Sequence, residues 1–198
     1  MGIAASDLSR REAYFLLIDS IVPRPVAWVS TCAPDGIPNL APFSFFTGVT
    51  ADPPTVLLSI ASRVDRGEDG ARSVRAKDTL ANLRGQGEFI VHVSPRRFLD
   101  QVIETSGSHP PEVDEISLVG FQTVPGSWVS VPRIPQLPIA MECRLLHELD
   151  VGDPPTTVVV GEVLGWHVAE GLRDEKGRIS ALDWGPLGRL GVDGYQEP

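Results

Sequence analysis

Asn39, Ser44 and Thr47 stand in the run NLAPFSFFT, at positions where a packed core strand would carry valine or leucine. Small amide and hydroxyl groups set among proline and aromatic residues suit a pocket for a flat, partly polar ligand. Pro42 also removes a backbone donor, which leaves neighbouring main-chain groups free to bond such a ligand. A second cluster follows: Arg63, Arg66, Arg72, Arg75 and Lys77 lead into Asp78 and Thr79, either of which can cap a helix. A helix start presents unpaired N–H groups and a positive dipole end, and with Lys77 and Arg63 beside it suits a small anion such as a phosphate.

Other chemistries lack the residues they need. His92, His109, His147 and His167 show no metal-ligand spacing and read as surface or satisfied strand residues. No serine stands in a nucleophile elbow, and there is neither a Walker phosphate loop nor a GxGxxG after a strand. The carboxylates form no defensible acid–base pair, so no catalytic side chain is assigned; an enzyme built on this chain would rely on a bound cofactor. Cys32 and Cys143 fall in predicted strands without zinc spacing and are expected to be reduced, buried thiols.

A formal charge of −9, from 26 acidic and 17 basic side chains, argues against nucleic acid or an anionic membrane as the main partner. No apolar run approaches the roughly 20 residues of a membrane span. The N-terminal MGIAASDLSRRE lacks an apolar signal core, so a cytoplasmic location is expected. Glycine and proline punctuate the chain without forming a linker, which predicts one domain over residues 1–198.

The elements that must position these residues are mostly strands. RPVAWVST, IPNLAPFSFFTGVT and TVLLSI read as three antiparallel strands separated by CAPDG and ADPP. Val26, Trp28 and Ser30 fall on one face of the first, and Ala27, Val29 and Thr31 on the other. Pro38 and Pro42 make the second an edge, bulged or ligand-facing strand. A short amphipathic helix over Asp7–Ile21, capped by Ser6 or Asp7, precedes them. Residues 64–76 read as a polar loop, followed by a helix with Leu80 and Leu83 inward and then the strand EFIVHV. Ser94 is expected to cap a helix burying Phe98, Leu99, Val102 and Ile103, and Asp114 one further turn. Phe121–Val124 reads as a strand, and IAMECRLLHEL with TTVVVGEVLGWHV as a hairpin; PLGRLGVDGY is too poor in apolar residues for a strand, though Tyr195 could lie over a pocket. Strands with short helices and no regular βαβ alternation predict an antiparallel barrel.

In this order, RPVAWVST, NLAPFSFF, the DPP turn, KDTLANLRGQGEFIVHV, IAMECRL and PLGRLGVDGY resemble the flavin reductase-like family, whose flavoredoxin-like members bind FMN on a split β-barrel. The resemblance implies a homodimer with one FMN per subunit near the interface. It implies that Trp28, Val29, Ser30, Thr31, Asn39, Leu40, Ala41, Pro42 and Ser44 line the isoalloxazine and ribityl chain, largely through main-chain groups. Ser62, Arg63, Lys77, Asp78 and Thr79 would surround the phosphate, and Tyr195 would lie near the flavin of its own or the partner subunit. The implied activity is NAD(P)H-dependent flavin reduction, with hydride passing from NADH or NADPH to flavin N5 and electrons on to a monooxygenase or other acceptor. The alternatives are an electron carrier without a nicotinamide site and a flavin pocket adapted to an organic substrate. Three positions depart from the family pattern: Phe43 replaces a tyrosine, residues 64–76 form a longer loop, and Thr47 and Gly48 replace a segment that often bears asparagine.

Overall fold

The chain enters its barrel through a helix, α1 (Arg10–Ser20). The helix starts at Ser9, later than Ser6 or Asp7, because Ser9 and Glu12 complete a capping box: Ser9 N donates to Glu12 Oε2 at 2.8 Å and Glu12 N to Ser9 Oγ at 3.3 Å. Of its apolar residues only Ile18 is buried. The computed structural model describes residues 2–67 and 69–196.

RPVAWVST forms the short β1 (Arg24–Pro25) and then β2 (Ala27–Cys32), with the predicted alternation. Val26 and Trp28 pack on one face, Ala27 and Val29 on the other. The next run is not one strand. It breaks at Ser44 and Phe45 into β3 (Pro38–Phe43) and β4 (Phe46–Ala51), which pair with β2 and with β5 (Pro54–Ala61) respectively.

Residues 64–76 are likewise not a plain loop. β6 (Arg63–Arg66) and β7 (Arg72–Arg75) form a ribbon in which Val64 faces Val74, while Asp65 takes bonds from Arg63 and Arg75. Cross-strand pairing of this kind orders a segment too polar to pack by burial. Glu68 within it lies outside the described residues.

The chain continues through α2 (Asp78–Gln86), which buries Leu80 and Leu83 and ends at Gly87 in the left-handed conformation, into β8 (Glu88–Val93). Ser94 caps no helix: its carbonyl accepts Leu187 N, and α3 (Leu99–Glu104) follows a 3₁₀ turn. Val102 of α3 is buried but Ile103 is exposed. Asp114 caps α4 (Glu115–Leu118) as expected. Phe121–Val124 forms no strand, only a bridge from Val124 to Arg133. β9 (Ile139–Val151) and β10 (Thr156–Val168) make the predicted hairpin, bulged beside Gly161 and Gly165. The tail does form strands: β11 (Gly188–Leu190) and β12 (Gly194–Tyr195) add to β1, which supplies the edge they need.

The main sheet is antiparallel throughout, in the order β3-β2-β8-β9-β10-β5-β4. Its two edge strands, β3 and β4, are joined by only Ser44 and Phe45, so the sheet curls into a split barrel. Phe43, Leu58, Phe89, Val91, Cys143 and Val159 fill it, with Leu80 and Leu83 of α2 packed in. A second core on the outer face of β2 gathers Trp28, Leu40, Phe121, Ile134 and Leu187. Cys32 is half-buried, so the expectation of two buried thiols holds for Cys143 alone; both are free. No described helix is long and apolar enough to cross a membrane.

Candidate functional site: a basic cleft beside an edge strand

β3 supplies one wall of a polar cleft. Its register opposite β2 sets Pro38, Leu40 and Pro42 on one parity, and Leu40 N turns away from β2 to donate to Glu115 Oε2 at 2.7 Å. In an antiparallel strand alternate residues point both backbone groups to the same side, so this parity faces outward. Two of its donors are deleted by proline, the third is taken by Glu115, and the carbonyls remain as acceptors. Asn39, Ala41 and Pro42 line the cleft.

The opposite wall is the turn from Thr105 to His109, with Glu115 at the start of α4. The Trp28 indole donates to Thr105 Oγ1 at 2.8 Å and so ties this turn to β2. Asn39 holds Thr79 Oγ1 at 3.0 Å, and with its amide turned to satisfy both ends its nitrogen reaches Glu115 Oε2 at 3.2 Å.

The ribbon carries the charge. Arg63 and Arg75 face each other at its base, and both line the cleft with Lys77, Asp78 and Thr79. The two guanidiniums share Asp65, at 3.3 and 2.9 Å. Lys77 has no ion-pair partner among the described residues, and its ammonium lies 5.8 Å from the Phe43 ring centroid. Although much of Lys77 is exposed, burial of its ammonium, and secondarily the like charge of Arg63, lowers its pKa. No side chain caps α2, so its first N–H groups are open for an anion. Glu115 is 7 % exposed. Burial raises its pKa to about 7, against the opposing bond from Leu40 N.

The structure thus brings Asn39, Ala41, Pro42, Arg63, Lys77, Asp78 and Thr79 together. It does not bring the other predicted side chains to the cleft. Trp28, Val29, Ser30 and Thr31 are fully buried behind it, where Ser30 Oγ donates to Pro132 O at 3.3 Å and Thr31 Oγ1 accepts from Asn82 at 3.1 Å. Leu40 reaches it only through its backbone, its side chain lying in the outer core. Ser44 faces Arg24 Nε at 3.5 Å. Ser62 donates to Pro155 O at 2.7 Å, fastening β5 to the β9–β10 turn. Tyr195 packs against the outer core, held by the Arg189 guanidinium over its ring. Sequence reasoning missed Arg75 as a site residue, the Thr105–His109 turn and Glu115. The signals present were the small-residue run TSGS and an acidic residue directly after a helix cap. No group of metal-binding side chains occurs among the described residues.

Comparison with known proteins agrees with this fold. The structure is similar to nitrilotriacetate monooxygenase component B from Bacillus cereus, with a TM-score of 0.88 and 34% identity, covering 99% of this chain and 94% of that one. It is similar to the 2-nitrobenzoate 2-nitroreductase NbaA of Pseudomonas fluorescens at a TM-score of 0.84 and 31% identity, covering 99% and 91%. An FMN-binding protein from Thermus thermophilus, solved with bound 1-cyclohex-2-enone, aligns at a TM-score of 0.71 and 26% identity, covering 91% and 89%. The flavin reductase like domain model matches residues 19–187, and the chain belongs to that family.

Proposed function

We propose that the cleft binds FMN and that the protein is an NAD(P)H-dependent flavin reductase. One observation carries this reading: Arg63, Arg75 and Lys77 converge at the uncapped start of α2, beside a strand edge with free carbonyls and no free N–H. The donors fit a phosphate monoester, and the edge carbonyls fit the single ring N–H of an isoalloxazine. When bound, FMN supplies the hydride-accepting chemistry that no side chain here provides. The chain's own work is then positioning: the cations and α2 fix the phosphate end, β3 fixes the ring plane, and the Thr105–His109 turn limits water.

The same reading takes residues 1–198 as one FMN-binding domain acting in the cytoplasm as a homodimer. Tyr14, Leu17 and Ile21 of the N-terminal helix region and Val49 of β4 expose apolar surface that a second copy would cover. The likeness to a monooxygenase component supports an oxygenase as the electron acceptor. The second reading, a pocket adapted to an organic substrate, draws on the likeness to a nitroreductase and on the polar turn Ser106–His109 lining the cleft.

An absorbance spectrum of the FMN-loaded protein, taken anaerobically before and after NADH and then NADPH, tests this. Bleaching of the flavin band supports the reductase and identifies the donor. Bound flavin that neither nucleotide reduces moves the assignment to a carrier or an adapted pocket, and no flavin binding overturns it.

A further inference from the structure

Three strands away from the cleft proposed for FMN, where β9 begins and β10 ends, lies a second cleft of about 340 Å³, within the usual size of a small-molecule pocket. None of its lining residues belongs to the first cleft. Its polar groups are Arg133 and His167, and its other walls are Pro135, Leu137, Pro138 and Trp166. The imidazole is held by an elaborate support. Glu142, fully buried, accepts His167 Nε2–H at 2.6 Å and the backbone N–H groups of Ser127, Trp128 and Val129 at 2.6–3.0 Å. Those bonds outweigh burial and keep Glu142 ionised. The carboxylate can only accept, so His167 carries its proton on Nε2 and leaves Nδ1 without a protein partner among the described residues. Trp128 packs against the ring at 5.3 Å, over Gly165, where any Cβ would meet the indole at 2.4 Å.

Arg133 completes the set. Its backbone is fixed to Val124 by bonds of 2.8 and 2.9 Å. Its guanidinium has no ion pair among the described residues, and Nε is buried without a hydrogen-bond partner. A half-buried guanidinium beside an oriented imidazole is incomplete without an acceptor. Charge narrows what that acceptor is: among the cleft's lining residues Arg133 is the one cationic side chain. A monoanion matches that single guanidinium, and nothing else in the lining balances the second charge of a phosphate dianion. The planar fork of arginine matches a carboxylate, and Trp166, 47% exposed, offers a flat apolar face beside it.

We propose that this cleft is a binding site for a planar organic monocarboxylate, with the Arg133 guanidinium on the carboxylate, the His167 ring beside it and Trp166 on its body. Sodium benzoate is the probe, added to full-length protein saturated with FMN so that the first cleft is filled. Binding is read from the His167 imidazole resonances by NMR and from tryptophan fluorescence. Benzoate shifts the His167 signals saturably, whereas benzyl alcohol and inorganic phosphate at the same concentrations do not. Arg133→Met weakens benzoate at least about tenfold, the loss of one charge-assisted pair, and the exposed Trp166→Ala weakens it several-fold. Should Arg133→Met fail to fold, Arg133→Lys, which keeps the charge and loses the fork, gives a weakened titration in its place. No saturable shift, equal response to phosphate, or wild-type affinity in the Arg133 variant overturns the proposal.

Discussion

Glu115 Oε2 lies 2.7 Å from Leu40 N, so the first residue of α4 takes the single outward donor that the prolines leave on β3. The bond joins two of the cleft's walls across 75 positions of sequence. Because burial raises its pKa to about 7, well above the usual carboxylate range, Glu115 binds its proton more tightly in the fold than in the unfolded chain. The stability it contributes is complete below about pH 4.5 and is lost as pH rises through about 7, a change of order 3 kcal/mol. Glu115→Gln removes this slope. Urea denaturation between about pH 5 and pH 8 checks it, and equal slopes for the two proteins would refute the assignment.

The same carboxylate lines the cleft proposed to hold FMN, where its ionisation would oppose a bound phosphate. FMN affinity should fall in the wild type as pH rises through about 7 and stay flatter in Glu115→Gln. Fluorescence titration of FMN at several pH values reads the difference.

Lys77→Ala and Arg75→Ala each remove one charge-assisted contact to the phosphate in the proposed complex. Each should weaken FMN by roughly tenfold. Added salt should weaken FMN more steeply in the wild type than in either variant. A Lys77 variant that keeps FMN as tightly as wild type would show that the phosphate lies elsewhere.

His92 has the opposite pH signature to Glu115. It is fully buried, its Nε2 accepts Ile134 N at 3.1 Å, and Nδ1 faces Trp28 O at 3.2 Å. Burial leads in lowering its pKa to about 3. The unfolded chain therefore binds a proton that the fold refuses, and stability is lost as pH falls from about 6.5 towards 3. His92→Gln should be less stable near neutrality and lose less on acidification. Thermal unfolding from about pH 4 to pH 7 separates the two effects.

Gly161 stands at a bulge of β10 where any Cβ would meet the Phe89 ring at 2.4 Å. Gly161→Ala should cost about 1–3 kcal/mol by overpacking the barrel. Gly48→Ala on the exposed β4, with nothing within 4 Å of the new carbon, is the matched control and should stay near neutral. Denaturant midpoints for the pair give the answer.

Much of the barrel could be read from local pattern. Trp28 and Val29 alternate between two cores because a strand turns successive side chains to opposite faces, and that periodicity is written in RPVAWVST. The corner at Ser44 and Phe45 could not be read, because no glycine or proline marks it and aromatic residues run straight through. That Lys77 and Thr79 stand together at a helix start was legible, and the structure places both in the cleft. Arg75 joined them only through the pairing of Val64 with Val74, which a strongly charged segment obscures. Glu115 looked like an ordinary first-turn acid. Its role comes from Leu40, a contact no local pattern announces.

The outward edge of β3 has a further consequence. A free sheet edge recruits other strands by offering alternating donors and acceptors. With Pro38 and Pro42 lacking N–H and Leu40 N already bonded, β3 offers acceptors alone. A stray strand laid along it would find half its ladder missing, so the wall that stays open to a small ligand is closed to edge-to-edge aggregation.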